Sequence, residues 1–269
     1  MRIAMISAVA LALATPAAAF EFERVVTPCE AMVEYPYAVL GLQPGATFEE
    51  IEAVASRKGI SIRERPGTVL ADNTRSRIAI DVTLGFGPRE DVVAVRRLEP
   101  GRDEMFGRLG TGAIGNVATT IGRVLSLDVV EAPGRGAVLK QMVASYGAPS
   151  LIEARASRMT AVWVNDTDGK HISHETLGTS ITPGSWSFPT DLLKMPRGCL
   201  GIGFDYVSPA QVNTRCSAVF TLIHERTSDA VLIYTILTDV MLRDCDRIEA
   251  SRQINAELGR EKVASDIEF

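Results

Sequence analysis

The side chains best suited to chemistry stand close together in one polar stretch: Asp166, Asp168, His171, His174 and Glu175. Asp166-x-Asp168-Gly169, with Glu175 six residues beyond the glycine, matches positions 3, 5, 6 and 12 of a calcium loop, where oxygens converge about a tight turn. Position 1 of such a loop falls on Val164, which offers no side-chain oxygen. An Asn-Asp-Thr-Asp-Gly run also turns without a metal, because Asx side chains accept from nearby backbone N–H groups. His171 and His174, with Asp168 or Glu175, outline an alternative zinc site that could support metal-assisted hydrolysis. Their i, i+3 spacing suits it only on a helical turn.

Gly110-x-Gly112-x-x-Gly115 has the spacing of a dinucleotide-binding loop, in which glycines let a backbone approach a pyrophosphate. No clear strand precedes it and no βαβ pattern surrounds it. The three glycines are therefore read as points of close backbone packing or of partner contact. His224, beside Glu225, could accompany a serine such as Ser208 or Ser217, but no Gly-x-Ser-x-Gly elbow is present. Glu49-Glu50 and Asp244-x-Asp246 read as solvated helix faces. No catalytic residue and no cofactor is assigned. Trp186 and Phe188, in a long polar connection, are candidate anchors for a partner, whereas Trp163 sits among apolar strand residues and is expected in the core.

These residues need elements to hold them. Thr47 and Glu50 form a capping-box pair ahead of Phe48, Ile51, Val54 and Ala55, which recur at helical spacing until Gly59. Strands are predicted at 61–65, 77–84 and 91–98, the last two as a hairpin. Residues 105–127 are rich in glycine and have no clean period. A helix is predicted at 137–146 with Val138, Leu139, Met142 and Val143 apolar, followed by strands at 160–164, 199–206, 215–224 and 230–237. The runs at 199–206 and 215–224 read as a hairpin. A final helix at 241–258 is expected to bury Leu242, Cys245, Ile248 and Leu258.

At the N-terminus, Arg2 precedes an apolar run to Ala14 and then Thr15-Pro16-Ala17-Ala18-Ala19. This is the pattern of a secretory signal peptide cleaved between Ala19 and Phe20, and the run is short of the roughly 20 residues that span a membrane. The expected address is the periplasm or the medium. Cys29 lacks a lipidation box before it, so neither lipidation nor a transmembrane anchor is expected. The net charge of −5 becomes one unit more negative without Arg2, which argues against nucleic acid as a partner. Four cysteines in an oxidising compartment suggest two disulfides out of three pairings. Cys199 and Cys216 are equidistant from the turn of their hairpin and are expected to pair, leaving Cys29 with Cys245.

The run Ala38-Val39-Leu40-Gly41-Leu42-Gln43-Pro44-Gly45-Ala46-Thr47-Phe48-Glu49-Glu50-Ile51 resembles the opening of small exported proteins that include the BamE-like outer-membrane assembly lipoproteins and the β-lactamase inhibitory protein. Later pieces match in order: the strand at 92–97, Ser145-Tyr146-Gly147-Ala148-Pro149-Ser150 at a helix end, the Trp-bearing Ala161-Val162-Trp163-Val164, and Leu237-Thr238-Asp239 before the last helix. The resemblance implies an α+β fold of two helix-plus-antiparallel-sheet units in tandem, with a C-terminal helix. It further implies a binding or assembly role with a protein partner in the cell envelope. The expected organisation is a leader at 1–19, a first unit at 20–102, a glycine-rich insert at 103–133, a second unit with the closing helix at 134–260, and a tail at 261–269. A metal-assisted hydrolase and a purely structural secreted protein are the alternative functions.

Overall fold

The computed structural model describes residues 20–24, 34–72, 77–88, 99–174, 176 and 216–265. Eight strands, β1 (Ile62–Asp72), β2 (Arg77–Pro88), β3 (Asp103–Leu109), β4 (Ala118–Asp128), β5 (Leu151–Ala154), β6 (Arg158–Asn165), β7 (Ala218–Arg226) and β8 (Ala230–Asp239), join in one sheet of order β1-β2-β3-β4-β8-β7-β6-β5. Three helices accompany it: α1 (Phe48–Arg57), α2 (Arg135–Tyr146) and α3 (Val240–Ser265). Every strand pairing is antiparallel. No helix among the described residues is long and apolar enough to cross a membrane.

The expected division into two helix-plus-sheet units is corrected by this sheet. β4 and β8 pair continuously from Thr120–Thr238 to Asp128–Ala230. One hydrophobic core runs from Tyr35 and Ile51 through Met105 and Ile121 to Trp163, Phe220 and Leu237. A boundary between units would cut both the hydrogen-bond ladder and that core. The segment expected as an insert holds β3 and β4, two central strands. The two glycines within its strands are compatible with strand because both face an aromatic ring: Gly107 lies opposite Phe86 and Gly122 opposite Phe106. A Cβ on either glycine would run into that ring. A cross-strand aromatic over glycine restores the packing the missing side chain forgoes.

The helical signals near the start are met as read. Thr47 accepts from the Glu50 amide at 3.3 Å and Glu50 accepts from the Thr47 amide at 2.9 Å, closing the capping box, while Ile51 and Ala55 are fully buried. Upstream, Leu40 and Gly41 both have positive φ between mutual Val39–Leu42 hydrogen bonds of 2.9 Å, a two-residue turn. α1 and the 35–42 segment cover one face of the sheet, and α2 lies on the same core through half-buried Val138, Leu139, Met142 and Tyr146. Trp163 is fully buried, and its indole N–H donates to the Gly147 carbonyl at the end of α2.

α3 packs elsewhere. Between the Arg65–Gly85 and Pro66–Thr83 pairs the register skips Leu84, a bulge that reverses which side chains face which way along the β1–β2 ribbon. Phe86 lies in the main core, but Ala71, Ile78 and Ile80 pack with Ile254 and Leu258 of α3. Pro66, with no N–H to donate, sits at this bulge on the edge strand, where its loss to the ladder is least.

β7 is paired on both sides, with β6 and with β8. It therefore has no edge free for a hairpin partner along Ala218–Arg226. Residues 91–98 and 199–206 lie outside the described residues.

Candidate functional site

The most chemically unusual ground is the contact between α3 and the loop from β3 to β4. α3 buries Leu242, Asp246, Ala250, Ile254 and Leu258, a stripe at four-residue spacing with a carboxylate inside it. Asp244 and Asp246 are each 3% exposed, so the reading of these acids as a solvated face is overturned. Asp246 accepts from the Thr111 amide at 2.8 Å and from the Thr111 hydroxyl at 2.6 Å. Burial nevertheless dominates over these two bonds and pushes its pKa up to about 6. Asp244 is held by Arg243 at 3.0 Å and lies 3.9 Å from Arg247.

The first turn of α3 is equally specific. Asp239 accepts from the Leu242 amide at 2.8 Å, the bond of an N-cap, and from the Tyr35 hydroxyl at 3.3 Å. Burial raises the Asp239 pKa against the lowering effect of these bonds and of the nearby Arg243 charge. Burial also raises the Tyr35 pKa, with the Asp239 carboxylate adding to it. The Leu237-Thr238-Asp239 sequence thus marks a helix entry whose cap is tied to the other end of the chain.

The Gly110–Gly115 loop is a single 3-10 turn, Gly112–Ile114, capped by the Thr111 hydroxyl on the Ala113 amide. Gly110 leaves little room for a side chain: a Cβ there would displace the end of the Ile114 side chain and come within 3.2 Å of the Asp246 carboxyl carbon. Gly112 and Gly115 pass close to Phe22 and Arg24. No strand-to-helix crossover of the nucleotide-binding kind surrounds the loop, since it joins two antiparallel neighbours.

Among the metal candidates, Asp166 and Asp168 lie in one tight turn. Asp166 Oδ1 accepts from the Asp168 and Lys170 amides, both at 2.9 Å, while Asp168 is exposed. Asn165 donates to the Gly169 carbonyl at 2.7 Å and accepts from the Tyr37 hydroxyl at 2.8 Å, which fastens the turn to the core. His171 forms a bridge to Asn165, and loss of surrounding water, with the charge of His174, lowers its pKa against a raising contact with the Ala148 backbone. No group of three metal-ligating side chains occurs among the described residues. Glu175, Trp186, Phe188, Cys29, Cys199 and Ser208 lie outside them.

The hydrolase pieces are dispersed. His224 is buried, with its Nε2–H donating to the Pro133 carbonyl at 3.1 Å, and Ser217 donates to the Asp166 carbonyl at 2.6 Å. Cys216 and Cys245 are both disulfide-bonded, and none of the described cysteines is free. Two open clefts are lined by other residues. One of about 400 Å³ lies along Gln43, Glu50 and Arg57, and one of about 420 Å³ lies along Lys58, Ser61, Arg102 and Glu104.

Sequence reasoning missed Asp239, Asp246, Thr111 and Gln253. Four-residue spacing from Leu242 to Leu258 was the available signal, and it is hidden when a stripe is read by apolarity alone. No family model, curated protein or solved structure matches this chain.

Proposed function

We propose that this chain is an exported, non-catalytic binding or envelope-assembly protein, directed to the periplasm or beyond by residues 1–19. The observation that carries the reading is the engagement of its polar groups. Asp166 is bonded to two amides of its own turn, His224 to Pro133, Ser217 to a carbonyl, and Asp246 to Thr111. Asp166 closes its own turn, and the other three each hold one part of the protein against another.

The sheet supports the same reading. On the face away from α1 and α2, Phe106, Thr221, Ile223, Tyr234 and Ile236 are half-buried and adjacent across β3, β4, β8 and β7 through Gly122. Aromatic and β-branched side chains on a firm scaffold suit a protein partner. The resemblance of the 38–51 run to exported assembly and inhibitor proteins points in the same direction.

The test is site-specific photocrosslinking in intact cells from positions 223 and 234. A discrete protein adduct that disappears in an Ile223→Glu chain of unchanged circular dichroism is expected. Absence of an adduct, together with stoichiometric zinc or calcium lost on His171→Ala and His174→Ala substitution, would replace this reading with a metal-assisted hydrolase.

A further inference from the structure

Residues 20–24 lie in a groove built from three parts of the chain. Phe20 and Phe22 alternate with exposed Glu21 and Glu23, their rings edge-to-face at 5.0 Å. Both pack against the cluster that Ile78 and Ile80 of β2 form with Ile254 and Leu258 of α3. On the other side the loop supplies its glycines: a Cβ on Gly112 would stand 3.0 Å from Phe22 Cβ, and one on Gly115 would stand 3.0 Å from Arg24 Nε. A side chain at either position would narrow the passage.

The backbone is recognised as well. The Glu23 amide donates to Gln253 Oε1 at 2.8 Å, and Gln253 Nε2 donates to the Glu23 carbonyl at 2.7 Å. A side-chain amide here substitutes for a neighbouring strand, the mode by which extended peptides are bound independently of the side chain at that position. Gln253 is itself buried and is oriented by a further bond from Nε2 to Glu249 Oε1 at 3.0 Å. Apolar contacts for the rings of alternate residues and a fixed amide for the residue after the second Phe define a ligand class: an extended Phe-x-Phe segment followed by a free backbone N–H and C=O.

We infer that this groove is a peptide-binding site for extended Phe-x-Phe segments, occupied in cis by residues 20–24. The inference deepens the binding reading above and rests on it for its biological sense. Removal of a leader after Ala19 makes Phe20 the first residue, so the occupant is a chain end that can leave without breaking any covalent connection. A partner presenting the same chemistry then competes with it at one site.

The experiment compares the wild-type full-length chain with its Phe20→Ala, Phe22→Ala variant, both purified from the exported fraction. The probe is a fluorescent Phe-Glu-Phe-Glu-Arg peptide read by anisotropy. The variant is expected to bind the peptide at least tenfold more tightly than wild type, because its groove is vacant. Gln253→Ala in the variant background should weaken binding at least fivefold, and Ala-Glu-Ala-Glu-Arg should not bind. Should the double variant fail to fold, Phe20→Ala alone takes its place with the same expected direction. Equal binding to variant and wild type, or no binding to a folded variant, overturns the inference. Peptide binding without any cellular adduct at positions 223 and 234 supports the groove while counting against the wider binding function. Cellular adducts with no peptide binding count the other way.

Discussion

The Thr111 hydroxyl donates to Asp246 at 2.6 Å and at the same time accepts from the Ala113 amide at 3.2 Å. One oxygen thus closes the loop between β3 and β4 and binds that loop to α3, 135 residues away in sequence. Thr111→Val keeps the shape and removes both bonds. The expected loss is about 1–3 kcal/mol by denaturant unfolding, with Thr111→Ser close to wild type, because a buried amide and a buried carboxylate each lose a partner.

Asp246 should make stability depend on pH in the direction opposite to a paired surface acid. Its folded-state pKa of about 6 lies above the ordinary 3.8, so the fold holds this proton more tightly than the unfolded chain does. The resulting stabilisation is complete below 3.8 and is lost as pH rises through about 6. It amounts to about 3 kcal/mol at most. Wild type minus Asp246→Asn, measured by urea midpoints from pH 4 to pH 8, should fall across that window. A flat difference, or one that rises with pH, contradicts the sign.

Gly85→Ala should weaken the fold where two strands are barely joined. β2 and β3 pair only at Gly85–Arg108 and Phe86–Gly107, and a Cβ at position 85 would run into the Gly107 carbonyl. Backbone cannot swing aside as a flexible side chain does, so a cost of about 1–3 kcal/mol is expected. Hydrogen exchange should accelerate first in β1 and β2.

The 165–170 turn should need no metal. Asp166→Ala removes the acceptor for two amides and should lower stability by about 1 kcal/mol. A chelator should leave the thermal midpoint of wild type unchanged. A midpoint that drops with chelator and recovers with calcium or zinc would restore the metal reading.

Local chemistry was legible where a residue's role is set by its near neighbours. The Thr47–Glu50 capping box, the Asx turn at Asp166 and the β-branched runs of β6 and β8 all act within a few residues, where spacing is geometry. The candidate site was less legible. Asp246 is two residues from Asp244 on a charged helix turn, and only the arrival of the Thr111 loop makes its burial tolerable.

From the residues alone came the positions of three helices, the strand runs of β2, β6, β7 and β8 and the core place of Trp163. Tertiary structure decided the rest. It set the union of all eight strands through β4 and β8, the strand identity of the glycine-rich 103–128 stretch beneath Phe86 and Phe106, and the docking of Phe20–Arg24 on Gln253. Each depends on groups tens to hundreds of residues apart. A glycine that is unfavourable in an isolated strand becomes the one residue that fits when an aromatic ring from the neighbouring strand occupies its side-chain space.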